Sequence, residues 1–102
     1  VSVVLVATIK PLPDRVDDVV AAFAKVIPSV HAEPGCELYA LHRSADSVVM
    51  IEKWESPEAL KTHSGSAGLA ELNHLLKGLV AGAPDLVRLE AVPVGTEAQG
   101  AL

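Results

Sequence analysis

A single cysteine, Cys36, leaves no partner for a disulfide within the chain. That usage fits a reducing compartment, and a cytoplasmic location is expected. Aromatic residues are nearly as scarce. Phe23, Tyr39 and Trp54 are the only ones, so the core must be assembled from Val, Leu, Ile and Ala. There is also no basic run. The 8 Lys and Arg residues are scattered singly among 13 acidic ones, for a formal net charge of −5. Nucleic acid and anionic membranes are bound through concentrated positive charge, so neither partner is expected. Long apolar runs are missing too. Val3–Ile9 is far shorter than the roughly 20 residues of a spanning helix. It also lacks the basic region and small-residue cleavage site of a signal peptide.

Cofactor signatures are absent as well. There is no Gly-rich dinucleotide fingerprint and no P-loop. The four histidines, His31, His42, His63 and His74, show no close metal-ligand spacing. His63 and His74 would share roughly one helix face but stand about 16 Å apart along it. No metal and no cofactor are expected. Cys36 has no base beside it in sequence, so a nucleophilic role is not expected either.

What is present is a chain of 102 residues, half of them hydrophobic, enough for one small domain. Val1–Ile9 is rich in β-branched residues and reads as a strand. Lys10-Pro11-Leu12-Pro13-Asp14 is a breaker cluster, with Asp14 as the expected N-cap of a helix over Arg15–Ala32. Val16, Val19, Val20, Phe23, Ile27 and Val30 supply the helical spacing, and Pro28 should loosen the last turn. Glu33-Pro34-Gly35 ends it. Cys36–Arg43 and Val48–Glu55 read as two strands joined by the Ser44–Ser47 loop. Ser56, Pro57 and Glu58 then form a helix start. That helix breaks at Ser64–Gly68 and resumes from Leu69 to Val80. Asp85–Val92 alternates as a last strand. Residues 1–92 form the expected domain, and Pro93–Leu102 reads as a flexible tail or an arm on a partner.

The order β-α-β-β-α-β is the ferredoxin-like pattern: an α+β fold with an antiparallel sheet and both helices on one face. Such a sheet alternates cleanly where its other face meets water. Val3-Val4-Leu5-Val6-Ala7 and Val48-Val49-Met50-Ile51 are apolar on both faces. A homodimer packed sheet to sheet is therefore expected. Small domains also bury proportionally less surface alone.

The stretch from Val48 to His63 is the richest in chemistry. It ends a strand on Trp54 and places a His on the helix that follows. Val49-Met50-Ile51-Glu52-Lys53-Trp54-Glu55-Ser56, with Ala59-Leu60 and His63 beyond, resembles the antibiotic-biosynthesis monooxygenase family. The small quinol-monooxygenase-like members are the most similar. Pro28 and the Glu33-Pro34-Gly35-Cys36-Glu37-Leu38-Tyr39 turn add to the resemblance, which runs from about Val3 to Val92.

The resemblance implies a dimeric α+β barrel with a pocket in each subunit. Many members oxygenate electron-rich aromatics without metal, flavin or haem; others degrade haem or act on small signalling molecules. The haem-degrading pattern requires an Asn on the first strand, where Ala7-Thr8 stand here. It requires a Trp at the position of His63, and a ligand His where Asn73 or His74 falls. Haem turnover is therefore not expected.

The expected reaction is oxygenation of a quinol or polycyclic phenol by dioxygen. A deprotonated quinol is its own reductant, so the protein supplies a base, a dry pocket and an oxyanion donor. His63 is the candidate base, since an imidazole titrates near neutrality. Glu52 would orient a hydroxyl or the imidazole. Trp54 would stack on the substrate ring. Tyr39 and His42 would donate hydrogen bonds, although strand parity points them to opposite faces. Asn73, polar within a leucine stripe, would face either the pocket or the solvent.

Plainer roles stand beside these. His63 could bond the last helix carbonyls, Trp54 could belong to the core or an interface, Glu52 to a salt bridge and Tyr39 to packing. Two other functions fit the same residues: an isomerase-like enzyme on a small oxygenated metabolite, and a non-catalytic dimeric module that holds an aromatic ligand.

Overall fold

A computed structural model describes all residues from Val1 to Leu102. Strand β1 covers Val3–Ile9, helix α1 Val16–His31, β2 Cys36–Arg43 and β3 Val48–Trp54. Helices α2, Pro57–Ser64, and α3, Ala67–Leu76, follow, then β4, Asp85–Leu89, and a single turn α4, Glu97–Gly100. The sheet is antiparallel throughout, in the order β2-β3-β1-β4. This is the α+β, ferredoxin-like arrangement that the element order implies. No helix is long and apolar enough to cross a membrane.

Helix α1 buries Val19, Ala22, Phe23, Val26 and Val30, one stripe at helical spacing. Asp14 is not its N-cap. Asp14 adopts a left-handed backbone with φ of 65°, which a short polar side chain tolerates better than most. Arg15 stands at the cap position without a side-chain cap bond. Asp17 and Asp18 in the first turn meet the positive end of the helix dipole instead. Pro28 lies within the helix on its exposed side, where the carbonyl it leaves unpaired can reach water.

The break between α2 and α3 is tighter than the sequence suggests. Gly65 ends one helix, and Ser66 caps the next by accepting from the Leu69 amide at 3.2 Å. Gly68 is absorbed into α3, which stops at Leu76 rather than Val80. Gly78, with φ of 78°, turns the chain away. Strand β4 is likewise shorter than expected. The C-terminal segment carries the α4 turn and folds back on the sheet, where Lys53 Nζ donates to the Leu102 carbonyl at 2.9 Å.

Burial along β3 alternates strictly: Val48, Met50, Glu52 and Trp54 are buried, and the residues between them are half-buried. The buried set faces the helices with Ala7 and Ile9 of β1 and Tyr39 of β2, packed on the α1 stripe and on Leu72 of α3. Burying each such aliphatic side chain is worth about 1.5–3 kcal/mol. Val6, Val49, Ile51, Val87 and Leu89 occupy the opposite face.

Gly35 locks the α1–β2 turn against α2. Its φ is +81°, and a Cβ there would lie 2.6 Å from the Ala59 Cβ. Its carbonyl accepts from the Glu55 amide at 2.9 Å. Gly35→Ala is expected to cost about 1–3 kcal/mol, from the backbone conformation and the clash together. Urea unfolding followed by circular dichroism checks this, and an unchanged midpoint would contradict it.

Candidate active site

Three separate elements meet at His63. It sits in the last turn of α2, brought close to the sheet by the cap at Ser56, whose Oγ accepts from the Ala59 amide at 3.1 Å. Its side chain is buried and does not bond the helix carbonyls. Nδ1 donates to Glu33 Oε1 at 3.0 Å. A carboxylate only accepts, so this contact places a proton on Nδ1, and in the neutral imidazole it is Nε2 that carries the lone pair.

Glu33 belongs to the turn that Gly35 holds against α2, so the same close packing that forbids a larger residue at 35 delivers the carboxylate. Nε2 lies 3.9 Å from Glu52 Oε1. That is too long for a direct hydrogen bond, and both side chains line the same cavity.

The ring itself is clamped by aromatics. Trp54 stacks on His63 with centroids 4.5 Å apart and planes 30° apart. Tyr39 meets it edge-on at 5.5 Å and 64°. The Trp54 indole N–H donates to Glu52 Oε1 at 3.0 Å. One face and one nitrogen of the imidazole are thereby held, with Tyr39 packed against the ring, which is the preorganisation a fixed base needs.

A cavity of about 810 Å³ opens beside this cluster, within the size range of small-molecule sites. Its walls are mostly apolar, including Leu5, Ala7, Met50, Leu60, Leu72 and Leu76, and His63, Glu52 and Tyr39 also line it.

Burial pushes the Tyr39 phenol well above its usual range, reinforced by Glu52 and Glu33. Tyr39 therefore remains a hydrogen-bond donor across ordinary pH. Burial likewise raises the Cys36 thiol, with Glu33 and Glu52 adding to it, which disfavours the thiolate.

Burial is also the main cause that raises the Glu52 carboxyl. Glu33 raises it further, while the Trp54 hydrogen bond and His63 act in the opposite direction. The folded chain then holds this proton to higher pH than the unfolded chain does. The associated stability is full below the ordinary carboxylate range and is lost as pH rises through the folded value. Glu52→Gln keeps an oxygen for the indole N–H and removes the titration. The variant is expected to gain on the wild type as pH rises from about 4 to about 8. Urea midpoints across that range test it, and parallel pH profiles for the two proteins would contradict it.

Not every candidate reaches the cavity. His42 lies on the opposite face of the sheet, exposed, with Nδ1 3.1 Å from the Ala40 carbonyl. Parity places it there, since its neighbour Leu41 pairs with Met50 on the helix side. It cannot contact a ligand in this cavity. Trp54 is fully buried behind His63 and does not line the cavity. It supports the imidazole rather than forming a wall for a substrate ring. Asn73 is exposed and lines the rim. His31 is tied to the Tyr39 carbonyl through Nε2 at 3.0 Å. Glu33 is a site residue that the sequence reading missed. It stands in a breaker turn, and no local pattern separates it from any other acid in a loop.

A ferredoxin-like sheet with a buried histidine beside an apolar cavity defines an α+β domain of the ferredoxin-like class. Residues 2–75 match the family described as antibiotic biosynthesis monooxygenase, and the chain belongs to that family. Among its relatives is the Escherichia coli (strain K12) protein named probable quinol monooxygenase YgiN. It is 34% identical over 67 residues, covering 55% of this chain and 64% of that protein. The match thus spans less than two thirds of that relative.

Two solved structures extend the likeness over most of the fold. Rv0793 of Mycobacterium tuberculosis is 26% identical with a TM-score of 0.83, covering 94% of this chain and all of the other. A Caulobacter crescentus protein is 30% identical with a TM-score of 0.81, covering 89% and 90%.

Proposed function

We propose that this chain is a cofactor-independent monooxygenase that oxidises a quinol or polycyclic phenol with dioxygen, working as a homodimer. The observation that carries the reading is His63: buried, held by Glu33 at Nδ1, with Nε2 free beside Glu52 on the wall of an apolar cavity. Membership of the monooxygenase family supports it.

In this reading a substrate hydroxyl gives its proton to His63 Nε2. The phenolate then passes one electron to dioxygen, and the two radicals combine to form a carbon–oxygen bond. The peroxide oxygen–oxygen bond breaks, one oxygen stays on the ring, and the other leaves as water. One quinol and one dioxygen give one hydroxyquinone and one water, and the substrate supplies every electron. Tyr39 donates to the negative charge that develops, and the apolar walls keep water from it.

Oxygen uptake with a panel of hydroquinones, in the presence of a chelator and with autoxidation subtracted, tests the reading. Saturable, chelator-resistant uptake is expected. A ligand-induced change in Trp54 fluorescence with no turnover would instead identify a binding module. Substrate-dependent absorbance change without oxygen use would identify an isomerase-like enzyme.

The homodimer rests on the sheet face away from the helices. Val87 and Leu89 are 46% and 45% exposed there, beside half-buried Val6, Val49 and Ile51. Such a contiguous apolar face favours a covering partner, and its twin in a second copy is self-complementary. Sedimentation at micromolar concentration is expected to give a dimer; a monomer would overturn this part of the proposal.

A further inference from the structure

The cavity is graded in charge, and the strand register shows how. Tyr39 pairs with Glu52, Glu52 with Leu5, and Leu5 with Arg88. The four stand in one row across β2, β3, β1 and β4, and all four line the cavity. Neighbouring strands are about 4.8 Å apart, so the Arg88 backbone lies about 10 Å from that of Glu52. Burial falls along the row. Tyr39 and Glu52 are buried, Leu5 is half-buried and Arg88 is exposed.

Lys61, exposed on α2, lines the same cavity. Arg15 and Arg43 are each paired with an aspartate, but Lys61 and Arg88 enter no ion pair. The only acid among the lining residues is Glu52, on the buried floor. A chain with net charge of −5 thus leaves two unpaired cations on the rim of its apolar cavity. Arg88 also lies beyond residues 2–75, the span that matches the family.

We propose that the cavity selects an aromatic substrate bearing a carboxylate on the edge opposite its reacting hydroxyl, with Arg88 and Lys61 holding that carboxylate. The inference rests on the proposed function only for the hydroxyl end of the ligand. The guanidinium fork matches a carboxylate in two parallel hydrogen bonds, and the ammonium adds a point charge. The buried floor then takes the hydroxyl against His63, and the rings fill the apolar middle. A neutral ligand of the same shape would fill that middle without engaging the rim.

The test uses a binding pair that needs no oxygen chemistry. One ligand is a hydroxynaphthoate with hydroxyl and carboxylate on opposite rings; the other is its carboxamide. Calorimetric titration of the wild type is expected to favour the carboxylate about tenfold, because two partly solvated charge contacts together supply about that much. Arg88→Gln should abolish most of the preference and Lys61→Gln part of it, with the loss falling mainly on the carboxylate. Added salt should weaken carboxylate binding alone.

Equal wild-type affinity for the two ligands would overturn the proposal. So would a preference that survives in the double variant, or no binding of the carboxylate at millimolar concentration. A charge preference without oxygen uptake from any quinol leaves this inference standing and removes the oxygenase. Uptake without the preference does the reverse.

Discussion

His63→Ala is expected to lower quinol-dependent oxygen uptake by about 10²–10⁴-fold, the usual contribution of a positioned general base. The expectation follows from geometry. Nε2 is the one nitrogen of the ring that no protein group engages within hydrogen-bond distance, and His63 lines the cavity. Removing the imidazole leaves the apolar walls and Tyr39 in place, so binding should fall far less than turnover.

Glu33→Gln refines the assignment. An amide at 33 can still accept from Nδ1–H through its oxygen, but it no longer supports a positive imidazole. A fall in the rate constant with little change in KM would mark Glu33 as a positioning residue acting through His63. Uptake in His63→Ala equal to that of the wild type would remove this histidine from the reaction.

Trp54→Ala carries the largest expected effect on stability. The side chain is fully buried, stacks on His63 and donates to Glu52. Truncating a buried Trp costs about 3–5 kcal/mol, cavity included. A domain of this size has about 5–15 kcal/mol in total, so the variant should be marginal.

Trp54→Phe separates the two roles of the indole. The ring volume is largely kept, but Glu52 Oε1 loses its N–H donor. A cost of about 1–3 kcal/mol is expected for that buried acceptor. The Glu52 carboxyl should move still higher, since the lost hydrogen bond is one of the influences that lowers it. Unfolding must be followed by circular dichroism, because Trp54 is the only tryptophan. A Phe variant as stable as the wild type would show that the Trp54–Glu52 bond contributes nothing net.

The outer sheet face and the cavity differ in how far the sequence already revealed them. Period-two alternation assigns Glu52 and Trp54 to one face of β3, and parity separates Tyr39 from His42. Ser56-Pro57-Glu58 marks the start of α2, and the two-sided apolar strands signal a face that needs cover. These are local facts: each depends on a backbone period of two or 3.6 residues and on the chemistry of one cap. The ends of elements were less legible. Gly68 reads as a breaker, yet it sits inside α3, where packing on α1 outweighs its poor helix propensity.

Local pattern sufficed for the element order, the cap at Ser56, the face of each strand residue and the scarcity of aromatics that makes Trp54 and Tyr39 conspicuous. Long-range packing brings Glu33 to His63 from 30 positions away. It also set Trp54 behind the imidazole rather than against a ligand, and put Arg88 at the rim in line with Glu52. Those relations depend on how the α1–β2 turn seats on α2 and on the register of three strand pairs. Both are set by long-range packing, whose closure no local periodicity encodes.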